Sequence, residues 1–246
     1  MEKVVVLLVC AVVLLVGYMV LDRSGIELPS FGAKNDYEQG IAFYNNKEYD
    51  KAFESFKKAC DGVEKNEQKA VELYKKACDG GDMRGCGNLG VMYEKGNGVE
   101  KNEQKAVELY KKVCNGGDVR GCTNLGVMYE KGNGVEKNEQ KAVELYKKVC
   151  NGGEMAGCYN LGIMYTKGNG VEKDFGKAAE LYKKACDGGN MRGCRSLGFM
   201  YDNGNGVEKN EQKAAELYKK ACDGGNMHGC RNLVVMYTNG NGVEKD

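Results

Sequence analysis

The chain has 246 residues, with 36 basic and 35 acidic side chains and a formal net charge of +1. This balance excludes the strongly basic surface that nucleic-acid-binding proteins carry, and no nucleic-acid partner is expected. Proline occurs once and tryptophan is absent, while 36 glycines fall mostly at fixed intervals. The composition therefore favours helices separated by glycine turns.

The first predicted element is a continuous apolar run from Val4 to Leu21. Its length just suffices to cross a bilayer, and it is long for the core of a signal peptide. Two interpretations remain open for residues 1–24: an uncleaved transmembrane signal anchor, which would be the only membrane contact, or a cleaved signal peptide. Both predict that the rest of the chain is exported, with a linker over residues 25–35 and a repeat domain over residues 36–246.

The next segment, residues 36–60, is predicted to form an irregular hairpin with helices from Gly40 to Tyr44 and from Tyr49 to Cys60. Only 18 residues separate Cys60 from Cys78, half the interval found later, so half a repeat is missing near residues 61–66. The missing block would have carried the partner of Cys60, which is therefore predicted to be a free thiol. A recombination scar between near-identical repeats explains this. The alternatives are an interchain disulfide that links a dimer, a reactive thiol, or a disulfide in which Cys60 replaces Cys86 as the partner of Cys78.

Residues 67–246 repeat every 36 positions, and cysteines eight apart mark each repeat. A period of this size predicts a stacked solenoid. Zinc ligands usually lie two to four residues apart, and the chain has a single histidine, so disulfides fit better and no metal or cofactor is predicted. Disulfides in turn predict an oxidising compartment. The five predicted disulfides join Cys78 with Cys86, Cys114 with Cys122, Cys150 with Cys158, Cys186 with Cys194, and Cys222 with Cys230.

Each repeat predicts two helices. Asn102 is placed to cap the first helix, whose apolar stripe includes Ala106 and Tyr110. Glycine after Cys114 ends that helix, and a second helix begins near Asp118. The predicted fold class is all-α.

These repeats resemble the Sel1-like family, a branch of the tetratricopeptide-like hairpins. The matching motifs are A-x-x-L-Y-K-K-A/V-C, G-C-x-N-L-G-x-M-Y and G-N-G-V-x-K. The paired cysteines are similar to those of the Helicobacter cysteine-rich proteins, which are secreted or envelope proteins often labelled β-lactamases. The resemblance implies a right-handed α-solenoid of disulfide-stapled hairpins in a periplasmic, membrane-anchored or secreted protein. It also implies penicillin binding or β-lactam hydrolysis as an alternative function.

A serine β-lactamase needs an S-x-x-K nucleophile motif. One occurs, with Ser55 and Lys58 as weak catalytic candidates, but the partner motifs are absent. The alternative interpretation is that Ser55 is a solvated helix residue. His228 occupies a repeat position that holds arginine or alanine in the other units, which indicates a surface site that tolerates different side chains.

Recognition is expected on the concave face of the solenoid, lined by the second helix of each hairpin. Asparagine recurs two residues after the second cysteine of each pair. Its side chain either binds the backbone of an extended peptide or forms hydrogen bonds with backbone groups between the helices. The preceding position varies, as a specificity position would, whereas the recurrent tyrosine after methionine is expected in the core. The partner is predicted to be a protein, a peptide, or an envelope or peptidoglycan-related component. The predicted ligand-binding residues are Asn88, Asn124, Asn160, Asn232, Tyr159, Arg195 and Arg231.

The last predicted helix, Met227 to Thr238, leaves an apolar edge that includes Tyr237. Val234 replaces the glycine found at this repeat position in the other units. A truncated chain and a docking edge are the two interpretations of this end.

Overall fold

The computed structural model describes residues 49–242 and, before them, residues 38, 39, 42 and 46. The predicted signal segment and linker lie outside these residues. Between residues 49 and 242 the chain forms ten helices and no strand, which confirms the all-α class. None of the described helices is both long and apolar enough to cross a membrane. The helices are α1 (Tyr49–Asp79), α2 (Met83–Lys95), α3 (Glu103–Asn115), α4 (Val119–Lys131), α5 (Glu139–Asn151), α6 (Met155–Lys167), α7 (Phe175–Asp187), α8 (Met191–Asn203), α9 (Glu211–Asp223) and α10 (Met227–Asn239).

The boundaries of each hairpin follow from its caps, as α3 and α4 illustrate. The Asn102 side chain accepts a hydrogen bond of 2.9 Å from the backbone N–H of Lys105, and Asp118 accepts one of the same length from Arg120. Gly117 turns the chain between the helices with φ of +87°. These caps satisfy N–H groups that the first turn of a helix leaves without partners. The predicted helix starts are confirmed.

The hairpins stack as the period predicts, because each helix packs on the helices before and after it in sequence. Tyr146 of α5 is fully buried in the interface with α4. Gly126 of α4 allows this approach, since a Cβ at that position would lie 2.6 Å from Cε1 of Tyr146. Tyr129, from the predicted core series, is half-buried against the same cluster, with the Lys141 ammonium 5.3 Å from its ring centroid. The last member of that series, Tyr237, is instead 46% exposed.

Five disulfides join the end of each odd-numbered helix to the first turn of the following even-numbered helix, with Cα atoms 4.4–4.5 Å apart. In the chain-entropy model, a loop of this length contributes about 2.6 kcal/mol per disulfide. Such crosslinks suit an array in which each unit has only its neighbours to pack against. The bonds have the pairing that the spacing predicts: Cys78 with Cys86, Cys114 with Cys122, Cys150 with Cys158, Cys186 with Cys194, and Cys222 with Cys230.

The second cysteine of each pair lies deep in its hairpin. Cys122, Cys158 and Cys194 are at most 1% exposed, because the next odd-numbered helix packs over them, as Val149 of α5 does beside Cys122. Cys230 on α10 is half-buried, since no described helix follows α10 to cover it. The crosslinks therefore lie inside the array, except at its last described hairpin.

The first helix differs from the prediction. We expected a helix to end at Cys60, but α1 continues without a break from Tyr49 to Asp79. In the regular repeats two glycines follow the helix, and the second takes a positive φ, as Gly117 does. Only one glycine, Gly62, follows Cys60, and a single glycine inside a helix costs only about 1 kcal/mol relative to alanine. Most of the predicted Gly40–Tyr44 helix lies outside the described residues, and the domain boundaries stay predictions.

Candidate binding groove

A groove crosses the amino-terminal halves of four successive even-numbered helices, α4, α6, α8 and α10. Its volume is about 770 Å³. Thr123 and Tyr159 occupy the same repeat position on α4 and α6, while Arg192 and His228 occupy a second shared position on α8 and α10. One surface is therefore built from equivalent residues of several repeats.

Tyr159, one of the predicted binding residues, packs against the following hairpin. It is half-buried beside the core of the following hairpin, and its ring centroid lies 5.9 Å from that of Tyr182. An aromatic pair at this separation contributes about 0.5–1.5 kcal/mol beyond its buried area. The Tyr159 ring is thus held in place and forms a fixed wall of the groove.

The predicted asparagines lie in different surroundings. Asn160 lines the groove, whereas Asn88 is exposed on α2. Asn124 lies beside the Tyr110 hydroxyl and Asn232 beside the Tyr218 hydroxyl, close enough for their amides to interact with those groups. The structure therefore brings one of the four asparagines into the groove and places two next to buried tyrosines.

A ladder of tyrosine hydroxyls, which the sequence reasoning missed, connects consecutive hairpins. Each buried tyrosine of an odd-numbered helix pairs with a side chain sixteen residues earlier, on the preceding even-numbered helix. The Tyr146 hydroxyl donates to the Glu130 carboxylate at 2.9 Å. A buried tyrosine usually has a hydrogen-bond partner, so a search for polar residues at a fixed offset could have found this pattern. The other pairs are Tyr110–Glu94 at 2.6 Å, Tyr182–Thr166 at 3.1 Å and Tyr218–Asp202 at 3.5 Å.

Burial raises the pKa of these four tyrosines above the usual value, and at Tyr110, Tyr146 and Tyr218 an adjacent carboxylate raises it further. The effect brings the pKa of Tyr218 to about 12, through burial first and then the negative charge of Asp202. The pKa of Tyr146 is raised more strongly, again by burial and then by Glu130. The hydroxyls therefore stay protonated and act as hydrogen-bond donors at neutral pH.

Basic side chains along the even-numbered helices differ in their partners. Arg120 is held by Asp118, with Nη2 and Oδ2 2.6 Å apart, and this contact lowers the pKa of the Asp118 carboxyl. Within the described part of the chain, no carboxylate forms an ion pair with Arg192, Arg195 or Arg231. Arg195 is half-buried, and its charge reaches the hydroxyls of both Tyr182 and Tyr218.

The weak catalytic candidates lie apart from the groove. Ser55 is on α1 with 8% of its surface exposed, so the interpretation of Ser55 as a solvated residue is wrong. Lys58, one turn later, is exposed. Neither residue lines the groove. Cys60 falls within α1, its side chain lies outside what the structure describes, and its state stays a prediction.

A family model described as "Sel1 repeat" matches residues 60–82, 84–118, 119–154, 156–190 and 192–226. Among solved structures, a protective antigen of uropathogenic Escherichia coli with an SLR fold is 32% identical, with a TM-score of 0.65 over 87% of this chain. The present chain covers 43% of that protein, less than half of its length.

A Sel1 repeat protein from Oxalobacter formigenes is 27% identical, with a TM-score of 0.64, and the match covers 85% of this chain and 78% of that one. The Helicobacter pylori cysteine rich protein B is 36% identical over 54% of this chain and 96% of its own length, with a TM-score of 0.45. No curated protein matches the chain.

Proposed function

The chain belongs to the Sel1 repeat family, and from this premise we propose that it is an exported scaffold that binds an extended protein or peptide segment. Sel1 repeat proteins generally mediate protein–protein interactions. The single observation that carries the proposal is the groove shared by α4, α6, α8 and α10, which is lined by residues of four successive hairpins. Asn160 offers an amide donor and acceptor there, as recognition of a peptide backbone requires.

The five disulfides support the exported part of the proposal. Structural disulfides persist in oxidising compartments and are rare in the cytosol. A periplasmic, membrane-anchored or secreted location is therefore proposed here, together with an envelope component as one class of partner.

The alternative, β-lactam hydrolysis, has less support. A serine nucleophile must be exposed in a cleft together with its general base and oxyanion donors. Ser55 is buried, its S-x-x-K partner Lys58 is exposed, and both are remote from the groove residues in sequence and in fold. We therefore propose binding rather than catalysis.

Selection of a random peptide display library on the oxidised protein tests this function. We expect enriched peptides whose binding is lost in the double variant Tyr159→Ala/Asn160→Ala. Lys147→Ala, at an exposed position on the odd-numbered helix α5, is the matched control and should retain binding. Absence of any enriched peptide, or equal binding by the groove variant, would contradict the proposal.

A further inference from the structure

The charges around the groove change along the solenoid. The residue that caps each even-numbered helix is acidic in the first three hairpins, as Asp82, Asp118 and Glu154, but is an amide in the last two, as Asn190 and Asn226. Both asparagines line the groove. They still cap their helices, accepting from the backbone N–H groups of Gly193 and Gly229 at 3.1 and 3.0 Å. Negative charge is thus absent from these caps without loss of the capping bond.

Positive charge increases over the same hairpins. The position after the second cysteine is uncharged on α2, α4 and α6 and is arginine on α8 and α10, as Arg195 and Arg231. Arg192 and His228 line the groove directly, whereas Arg195 and Arg231 lie on the same two helices outside its lining. These arginines differ from Arg120, whose charge is neutralised by Asp118.

Apolar surface lies between these charges. Met191 lines the groove against Gly224, where the lack of a side chain leaves room for its thioether. Met227 is 72% exposed, and Tyr159 forms the fixed wall. Methionine adapts to different apolar side chains because it is unbranched and polarizable. The groove therefore offers apolar contacts bordered by cations that have no intramolecular carboxylate partner among the described residues.

We propose that the groove over α6, α8 and α10 binds an extended acidic peptide segment, whose carboxylates contact Arg192 in the groove and Arg195 and Arg231 on the same helices outside its lining, and whose apolar side chains contact Met191 and Tyr159. The inference rests on the proposed binding function and adds the chemistry of the partner. Charge complementarity of this kind determines which partner is accepted and how fast it associates. A peptide is favoured over a nucleic acid because apolar and amide groups separate the few cations.

Three labelled peptides of about ten residues, which span about 33 Å when extended, provide the probe. They share the same leucine positions, and the remaining positions carry glutamate, glutamine or lysine. Fluorescence anisotropy with the full oxidised protein should give the tightest binding for the glutamate peptide. Its affinity should fall as salt increases, because ions screen exposed charges.

The double variant Arg192→Gln/Arg231→Gln should weaken binding of the glutamate peptide by about tenfold, since two exposed ion pairs with the peptide are lost. Arg84→Gln is the matched control, because Arg84 occupies the repeat position of Arg192 on α2, outside the groove. Its effect should stay within about twofold.

The outcomes separate the two proposals. Equal binding of the glutamine peptide, with loss in the Tyr159→Ala/Asn160→Ala variant, would overturn the acidic partner and leave peptide binding intact. Binding of none of the three peptides would overturn the acidic partner, while enriched peptides from the display library would still support the function. Tighter binding of a single-stranded oligonucleotide, lost in the arginine double variant, would replace the peptide with a nucleic acid.

Discussion

At the residue scale, two glycines on the same helix have opposite surroundings. Gly90 lies on the face of α2 that meets α3, where an added Cβ would lie 2.6 Å from Cε1 of Tyr110. The Tyr110 ring is fully buried and its hydroxyl is held by Glu94, so that the ring cannot move aside easily. Gly87, less than one turn earlier, has nothing within 4 Å of the corresponding Cβ position. Packing therefore requires glycine at one position and not at the other.

Substitution of each glycine by alanine separates packing from helix propensity. Both changes remove the entropic cost of glycine in a helix, worth about 0.5–1 kcal/mol. We expect Gly90→Ala to destabilise the protein by about 1–3 kcal/mol through overpacking, and Gly87→Ala to be neutral or stabilising. Urea unfolding of the oxidised variants, followed by circular dichroism, measures the difference. Equal midpoints for the two variants would show that the Tyr110 ring moves aside without a loss in the free energy of unfolding.

Val234 follows the same packing rule. It occupies the glycine position on α10, and its side chain is 62% exposed because no described helix follows α10 to supply a tyrosine. The sequence singled out this substitution, but its physical reason became evident only from the contact between glycine and the tyrosine of the next hairpin. That contact joins residues twenty positions apart, beyond the reach of a local pattern.

At the scale of the helix, the capping residues differ in whether they form a bond. Asp82 and Asp118 accept hydrogen bonds from the backbone N–H groups two residues later, at 2.9 Å in both cases. Glu154 occupies the equivalent position before α6 and forms no capping bond from its side chain. Its additional methylene group places the carboxylate beyond the short reach that a capping residue needs.

Exchange of these acids tests the difference. Glu154→Asp should stabilise the protein by about 1 kcal/mol, because it supplies an acceptor for the first turn of α6. The reverse change, Asp118→Glu, should destabilise α4 by a similar amount, and charge is unchanged in both variants. Thermal unfolding of the two proteins provides the measurement. A stabilised Asp118→Glu variant would rule out this explanation.

The helices were predictable where the signals are local. Asn102, Asp118 and the glycines mark helix ends within a few residues, and the predicted hairpin boundaries agree with α3 and α4. The continuous helix α1 was not predictable in the same way. With a single glycine after Cys60, the free energies of ending and of continuing the helix differ by only a small amount. The groove was predictable in part: Tyr159 was identified from its variable position, whereas the line of residues from Thr123 to His228 depends on how hairpins rotate against one another.

At the scale of the whole molecule, the tyrosine ladder connects each hairpin to the next. A solenoid has no central core, so its cohesion depends on the interfaces between neighbouring units. Four of these interfaces contain a buried tyrosine whose hydroxyl meets an acceptor from the preceding hairpin. Ionisation of such a hydroxyl would place negative charge in a buried site, beside a carboxylate at three of the four positions.

This arrangement predicts that the fold loses stability in alkali. The pKa of Tyr218 is raised to about 12, and those of Tyr110, Tyr146 and Tyr182 are also raised. In the unfolded chain these hydroxyls ionise near pH 10. Above that pH the unfolded state binds fewer protons than the native state, so the free energy of unfolding falls as pH rises toward the native pKa values. Stability should therefore be unaffected by these groups at neutral pH and should decline from about pH 10 upward.

Denaturant unfolding between neutral pH and about pH 11, with tyrosinate absorbance followed in parallel, tests this at the level of the whole array. We expect the buried tyrosines to ionise together with the loss of helical circular dichroism. The Tyr146→Phe variant removes one ionisable hydroxyl while keeping the ring in its interface with α4, so its stability should decline less steeply above about pH 10 than that of the parent. Tyr237→Phe, at an exposed position outside the ladder, is the control and should retain the parent slope. Ionisation of all 15 tyrosines near pH 10 with the helices intact would show that the interfaces between hairpins tolerate the charge, and that the ladder does not hold the array together.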